Sequence, residues 1–256
     1  MMNEALRAKY ELLSYRMARK ALSAYTKQLF DKLKDVENPT GIMDICRQQI
    51  DTAGIKQLYS DMYITTGVKF ANESYKLLKG AKSANYHKDM SWYYAQWMQN
   101  FVDTTLGDRI AQVTRTTYEG IQENARKAIE KGVAEGWGGL KIAREIVKLQ
   151  GTMDTWRALR IARTEVVSAS NMGSLSGAQS TGLNLLKEWL PMNDKRVRTD
   201  PYNHKGMKGQ KVRMSEKFFI KGEAGQPDDY LTVPGDPQGQ AANVINCRCT
   251  QIYEVL

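Results

Sequence analysis

The sequence predicts an α+β protein in which a long helical N-terminal arm precedes a compact C-terminal α+β domain with short strands. Two observations predict this fold class. Apolar residues recur at spacings of three and four through the first two thirds of the chain, which is typical of amphipathic helices. After Gly177, glycine, proline and asparagine become frequent and short strand-like segments replace the helical period. We place the boundary between a helical arm, residues 1–137, and an α+β domain, residues 138–256.

The first helix is predicted over residues 3–35, since apolar side chains recur along one face there and Pro39 disfavours helix at Asn38. Asp154 is predicted to cap the N-terminus of a late helix, because its carboxylate can accept the free amide hydrogens of a first turn. The other predicted helices run from about residue 43 towards residue 78 with an interruption near Gly54, and over residues 86–107, 108–133, 140–149 and 155–176.

Short strands are predicted where the helical period is lost. They cover residues 185–190, 211–214, 218–220, 230–233 and 249–255. A dense aromatic cluster in the earlier helical region can be either core or a partner surface. Its members are Trp92, Tyr93, Tyr94, Trp97 and Phe101.

Bulk composition limits the class of protein. The chain has 256 residues and a net charge of +9, with no apolar run of the roughly 18 residues that a membrane span needs. The N-terminus lacks the apolar region of a secretory signal. Three cysteines, an odd number, argue against a disulfide framework and favour a reducing compartment.

Positive charge is concentrated in residues 195–221, where nine side chains are basic and two are acidic. Such a segment can neutralise phosphates without reading sequence, although a solvated hairpin paired with its acidic neighbours is an equal alternative. The candidate DNA contacts are Lys195, Arg196, Arg198, Lys205, Lys208, Lys211 and Arg213.

A metal site is a further candidate. His204, Cys247 and Cys249 offer ligands that zinc accepts, and Asp194 could be a fourth. The spacing of Cys247 and Cys249 is weaker than the usual zinc knuckle, and the alternative is a turn with small buried thiols. The pattern requires no cofactor, and zinc remains possible.

Catalytic motifs are weak. His87 and His204 are the two histidines, and no hydrolase, zinc-protease or phosphate-loop motif occurs. Arg163, Glu165 and His204 could serve a nuclease or an ADP-ribosyl transferase, but a buried structural network is favoured. We therefore expect a protein that is not an enzyme.

The order of several motifs resembles the phage Mu F-like minor head proteins, the head-morphogenesis domain family. The resemblance covers about residues 138–256. The motifs that carry it are Arg163-Thr164-Glu165, Asn171, Trp189, Asp194 to Arg198, His204, Pro234-Gly235-Asp236-Pro237 and Asn246-Cys247-Arg248-Cys249. The sequence departs from the family pattern in residues 199–203, which separate Arg198 from His204.

The resemblance implies a structural component of a tailed-phage head. Its expected partners are the portal protein, other capsid proteins and packaged DNA, which it would contact without sequence preference. Its expected location is the capsid interior or the portal vertex of the virion, and the host cytoplasm during assembly. Such proteins aid capsid assembly and DNA packaging or delivery. Residues implied as structural motifs are Arg163, Glu165, Trp189, Asp194, Cys247, Arg248 and Cys249.

Overall fold

A computed structural model describes residues 4–48, 53–80 and 90–256. The helices are α1 (Glu4–Leu33), α2 (Pro39–Cys46), α3 (Ala53–Lys79), α4 (Ser91–Thr105), α5 (Gly107–Ala134), α6 (Gly139–Gln179) and the short α7 (Ala241–Val244). The strands are β1 (Leu185–Leu190), β2 (Lys211–Arg213), β3 (Phe218–Ile220), β4 (Asp229–Leu231) and β5 (Thr250–Val255). The predicted α+β class is confirmed: a long helical region precedes short antiparallel strands. His87 and the start of the helix predicted over residues 86–107 lie outside the described residues.

Strand β1 is the centre of a three-stranded antiparallel sheet with the order β2-β1-β5. Its partners in register include Lys187 with Val212 and Trp189 with Gln251. Strands β3 and β4 form a separate antiparallel pair. Side chains alternate along β1, so that Leu185, Lys187 and Trp189 are buried. The five predicted strands are confirmed to within one or two residues at their ends.

The chain separates into two compact units. The first comprises Met1–Ser14, Tyr59–Gly107 and Ala162–Leu256, and the second comprises Tyr15–Leu58 and Asp108–Ile161. The boundary predicted at residue 137 stays a prediction.

Each unit has its own apolar core. In the second unit the core joins helices α1, α2, α5 and α6, with Leu33, Ile42, Ile121 and Ile146 at its centre. In the first unit, a core of the C-terminal strands surrounds Trp189, which contacts Phe218 edge-on at a centroid distance of 5.3 Å. The core around Trp189 positions the candidate site.

Two helix boundaries differ from the predictions. Asp154 does not cap a helix, because α6 runs without interruption from Gly139 to Gln179. Its buried carboxylate accepts hydrogen bonds from the side chains of Thr26 and Gln150 inside the second unit. These side chains, and not the amide hydrogens of a first helical turn, are its partners. Helix α2 starts at Pro39 rather than near residue 43, since the Asn38 side chain caps it by accepting from the Gly41 amide at 2.6 Å.

The apolar stripe predicted for α1 is only partly buried. Leu33 of that stripe is buried, but Leu13 is exposed, and the other buried positions of α1 are Ser14, Ala18, Leu22 and Thr26. The aromatic cluster of α4 is divided: Tyr94 is buried, Trp97 stacks on Phe101, and Trp92 and Tyr93 are exposed. Within the described residues, no helix combines the length and apolar character that crossing a bilayer requires.

Candidate functional site

The structure brings His204, Cys247 and Cys249 together in the first unit. Their ligand atoms lie within 4.8 Å of one another, and all three residues are buried. The Nδ1 atom of His204 is 3.6 Å from the Cys247 sulfur and 3.5 Å from the Cys249 sulfur. The three side chains that the sequence grouped therefore form one compact set of soft ligand atoms.

Local backbone conformation presents the two cysteines. Asn246 adopts a positive φ of 59°, and the Cys247 amide donates to the carbonyl of Val244, which closes a tight turn. Asparagine is one of the few residues other than glycine that enters this left-handed region at low cost. The turn directs both thiols into the core immediately before β5.

The orientation of His204 is fixed from its other ring nitrogen. The Nε2 atom lies 2.5 Å from the amide oxygen of Asn243, and the Asn243 amide nitrogen donates to the Asp229 carboxylate at 2.8 Å. Since that amide oxygen is an acceptor, Nε2 carries the proton and Nδ1 presents its lone pair to the sulfurs. Neither Asn243 nor Asp229 was predicted as a site residue, because a partner 14 to 39 residues away in sequence leaves no periodic signal.

The two thiols differ in acidity. A hydrogen bond from Cys247 holds the pKa of the Cys249 thiol below its usual value. The same Cys247–Cys249 hydrogen bond, together with burial, raises the pKa of the Cys247 thiol. The pair is therefore suited to share one proton and one negative charge.

Ion pairs and hydrogen bonds hold the loops around this cluster. Arg248 binds both carboxylate oxygens of Asp194, and this contact lowers the pKa of Asp194 to about 2. Asp194 is consequently not the fourth ligand that the sequence suggested, since both oxygens face Arg248. Trp189 contacts the His204 ring edge-on at 5.4 Å.

Helix α6 connects to the same loops through Asn171. Its amide nitrogen donates to the carbonyls of Pro234 and Cys249, and Arg7 donates to its amide oxygen. Arg7 also donates to the carbonyl of Arg248. Asn171 stood in the sequence motif, whereas the role of Arg7, from the N-terminal helix, could not be seen in the sequence.

The insertion over residues 199–203 does not displace His204. Tyr202, within it, is buried in the same core, bridges to Gly222, and donates its hydroxyl to the carbonyl of Pro227 at 2.9 Å. Tyr202 therefore holds the insertion against the core, and His204, two residues later, still contacts the two cysteines.

The structure assigns different neighbours to the three candidate catalytic residues. Arg163 forms an ion pair with Glu11 at 3.2 Å, and Glu165 accepts hydrogen bonds from Tyr59 and Tyr63. His204 belongs to the cysteine cluster. No described contact joins Arg163, Glu165 and His204 in one site.

The basic candidates fall into three groups. Arg198 binds within the protein, because its guanidinium donates to the carbonyls of Asn243 and Ile245. Lys211 also has partners within the protein, since it forms ion pairs with Glu188 and Glu254. Arg196 is exposed and lies 4.0 Å from Asp194. The side chains of the remaining candidates are exposed and form no ion pair among the described residues; they belong to Lys195, Lys205, Lys208 and Arg213.

Two clefts accompany these features in the first unit. A cleft of about 530 Å³ lies where α1, the end of α3 and the start of α4 meet, and Tyr10, Glu73, Lys76 and Ser91 contribute to its walls. A smaller cleft of about 160 Å³ is lined in part by Arg7 and Arg248. Neither cleft contains His204 or the two cysteines in its lining, so the cluster lies inside the core.

Comparison with known proteins gives one family and one relative. The sequence profile of the family described as Phage Mu protein F like protein matches residues 123–252, just over half of the chain. The NAD(+)--arginine ADP-ribosyltransferase EFV of Enterococcus faecalis is 28% identical over 178 residues. That match covers 68% of this chain and 34% of the relative, so the chain spans about a third of the relative's length. No solved structure matches the chain.

Proposed function

Since this chain belongs to the family of phage Mu protein F like proteins, we propose that it is a minor head protein that binds the portal while a phage head assembles. The observation that carries the proposal is the family match over residues 123–252, which contains the Trp189, Asp194–Arg248 and His204–cysteine contacts. Membership of this family supports a structural component of a bacteriophage head. The portal, the DNA and a place inside the capsid or at the portal vertex are the finer parts of the proposal.

A structural role is favoured over catalysis by the partners of Arg163, Glu165 and His204. A nuclease or an ADP-ribosyl transferase needs its acid, base and cation to converge on one substrate. Here Glu165 is buried between Tyr59 and Tyr63, and Arg163 pairs with Glu11. The transferase activity named for the Enterococcus relative is not carried over, because two thirds of that protein lies outside the match.

An exposed apolar surface supports docking on another head protein. Leu77 near the end of α3 is 72% exposed, and Trp92 near the start of α4 is 70% exposed beside Tyr93. The start of α4 lies beside α3, since Asn72, five residues before Leu77, donates to the Ser91 hydroxyl at 3.1 Å. Exposed tryptophan and tyrosine side chains are typical anchors of protein interfaces. We propose that this surface, Leu77 with Trp92 and Tyr93, contacts the portal.

The docking surface is tested by replacing Trp92. The variant Trp92→Ser should weaken copurification with the portal protein by at least about tenfold, since a buried interface tryptophan commonly contributes more than about 2 kcal/mol. The matched control is Trp156→Ser, because Trp156 is equally exposed, at 71%, and belongs to the other unit. Equal binding by both variants and the wild type, measured by pull-down at several portal concentrations, would contradict this surface.

Contact with packaged DNA is the second part of the proposal. Lys205 begins the 3-10 turn Lys205–Met207 and Lys208 follows it, and both side chains are exposed without a described acidic partner. Lysines in this setting neutralise phosphates and release counterions, and they do not read bases. Lys211 is a weaker candidate than the sequence suggested, because it is already paired with Glu188 and Glu254.

Charge reversal tests the DNA contact. The double variant Lys205→Glu/Lys208→Glu should bind random duplex DNA more weakly, and the slope of log affinity against log salt should fall by about 2 in magnitude. The loss should be equal for AT-rich and GC-rich duplexes. The charge-matched control is Lys27→Glu/Lys34→Glu, which changes two exposed lysines of the helical region. A slope that both double variants share with the wild type would remove DNA from the proposal.

A further inference from the structure

Two edges of the His204–cysteine cluster have the lengths expected in a tetrahedral zinc site. Zinc–sulfur bonds of about 2.3 Å and zinc–nitrogen bonds of about 2.0–2.1 Å place a sulfur and a nitrogen about 3.6 Å apart along one edge of the tetrahedron. The observed distances from His204 Nδ1 are 3.6 Å to Cys247 and 3.5 Å to Cys249. Both edges that the structure gives therefore fit the same central ion.

Hydrogen bonding to the imidazole accounts for only one of the two sulfurs near Nδ1. With the proton on Nε2, Nδ1 has a single lone pair and accepts one hydrogen bond. A second sulfur at the same distance then lacks a donor or acceptor on the imidazole. A cation among the three atoms would use the lone pair and both sulfurs at once.

The surroundings of His204 are those of a metal-binding histidine. Its Nε2 proton is directed at Asn243, whose amide donates to Asp229, and Asp229 also accepts from the Gln240 amide at 2.8 Å. Ligating histidines regularly have such a partner, which fixes the tautomer and turns the other nitrogen to the metal.

The type of ligand selects the ion. Two thiolates and one imidazole suit Zn²⁺, and two thiolates balance its charge inside a core where a lone ion would be costly. His204 is 2% exposed, Cys247 3% and Cys249 2%. Three protein ligands leave the fourth tetrahedral position to water or another donor.

We propose that His204, Cys247 and Cys249 bind a zinc ion that joins the turn at residues 204–207 to the start of strand β5. A link at this place has a structural purpose. Strands β2, β3 and β4 have three residues each, so the core around Trp189 has few backbone hydrogen bonds to hold it. Small cores of this kind are commonly stabilised by a metal or a disulfide.

Metal analysis of the full-length chain tests the proposal. Protein purified without chelators should contain about one zinc ion per chain, as structural zinc sites do. The variants Cys247→Ser and Cys249→Ser should lose at least about nine tenths of it, because each removes one thiolate. The matched control is Cys46→Ser, since Cys46 is also a buried free thiol but belongs to the other unit. It should keep the zinc of the wild type.

Cobalt binding tests the site even if the serine variants fold poorly. Wild-type protein stripped with a chelator and titrated with Co²⁺ should develop the visible and near-ultraviolet bands of tetrahedral thiolate–cobalt, and Zn²⁺ should abolish them. The chelator should also lower the unfolding temperature of the wild type and of Cys46→Ser alike.

Several results would overturn the proposal. They are wild-type protein without zinc and without cobalt bands, zinc retained by Cys247→Ser and Cys249→Ser, and copper or iron in place of zinc at the same stoichiometry. A Cys247–Cys249 disulfide, detected as a mass two units lower in protein kept under reducing cytosolic conditions, would do so as well.

Discussion

Lys187 is the residue whose burial has the clearest thermodynamic consequence. Its side chain points to the buried face of β1 and is 0% exposed. The ammonium donates to the carbonyl of Thr232 at 2.7 Å and lies 5.2 Å from the centre of the Phe218 ring. Burial lowers the pKa of Lys187 to about 8, and the nearby carboxylate of Asp236 offsets part of that effect. A charged lysine in this core is therefore maintained at a cost to stability near neutral pH.

This cost predicts a pH dependence. Between about pH 8 and pH 10.5 the unfolded chain binds more protons than the folded one, so stability should rise with pH, by about 3 kcal/mol at most. Replacing Lys187 with methionine should flatten that rise, as measured by urea unfolding at a series of pH values. The control Lys221→Met, at an exposed lysine, should keep the slope of the wild type. Parallel curves for Lys187→Met and the wild type would refute the burial argument.

The sequence correctly predicted which residues lie together where the residue type is rare and has few chemical uses. Cysteine and histidine are few in this chain, so His204, Cys247 and Cys249 could be grouped from the sequence alone. Asp194 was grouped with them wrongly. A carboxylate can bind either an arginine or a metal ion, and here both carboxylate oxygens of Asp194 bind Arg248. The internal hydrogen bonds of Arg198 were not predicted either, since its two carbonyl partners lie at the end of α7, more than 40 residues away.

At the scale of elements, the contact between α3 and α6 depends on small residues. A Cβ atom on Gly173 would lie 2.2 Å from the carbonyl oxygen of Gly67, and one on Gly177 would lie 2.1 Å from that of Ala71. Each pair is four residues apart, so the small positions of both helices share a face. The two backbones consequently pack closer than larger side chains allow.

This close approach predicts opposite effects of one substitution at two places on α6. Gly173→Ala should destabilise the protein by about 2 kcal/mol or more, because the backbone of α3 must move away from the new methyl group. Gly151→Ala should stabilise it by up to about 1 kcal/mol, since Gly151 has no atom within 4 Å of an added Cβ and alanine favours helix. Urea midpoints measure both changes. Equal effects of the two substitutions would contradict the packing of α3 on α6.

The periodic elements were predictable, and their ends were less so. The loss of helical period after Gly177 predicted β1 over residues 185–190, and that strand buries every second residue. The alternating segment at the C-terminus is β5, its antiparallel partner. The break predicted before Asp154 was wrong because Gly151 and Asp154 read locally as a helix start. Hydrogen bonds to Thr26 and Gln150, which the local pattern does not reveal, make the continuous helix the better solution.

At the scale of the whole molecule, the sequence predicted the α+β class and the family, and both are confirmed. It did not predict the two compact units, since residues 1–14 and 59–107 join residues 162–256 through contacts between distant parts of the chain. Arg7 illustrates why: its partners Asn171 and Arg248 are 164 and 241 residues away. Periodicity reports which face of a helix is apolar, and it does not report which partner that face contacts.

The net charge of +9 belongs to this scale as well. Charge of this size attracts phosphate without choosing a sequence, so it supports contact with packaged DNA but not the recognition of a site. The exposed apolar surface at Leu77, Trp92 and Tyr93 supports a protein partner instead. A head protein at the portal would use both surfaces.

The most direct test is to express the chain together with the portal protein of the same phage and to measure the mass of the portal ring by size-exclusion chromatography with light scattering. We predict that the chain elutes with the ring at a fixed ratio to the portal subunits and increases its mass accordingly. Separate elution of the two proteins at every ratio tried, with the ring mass unchanged, would contradict a role as a portal-associated head protein.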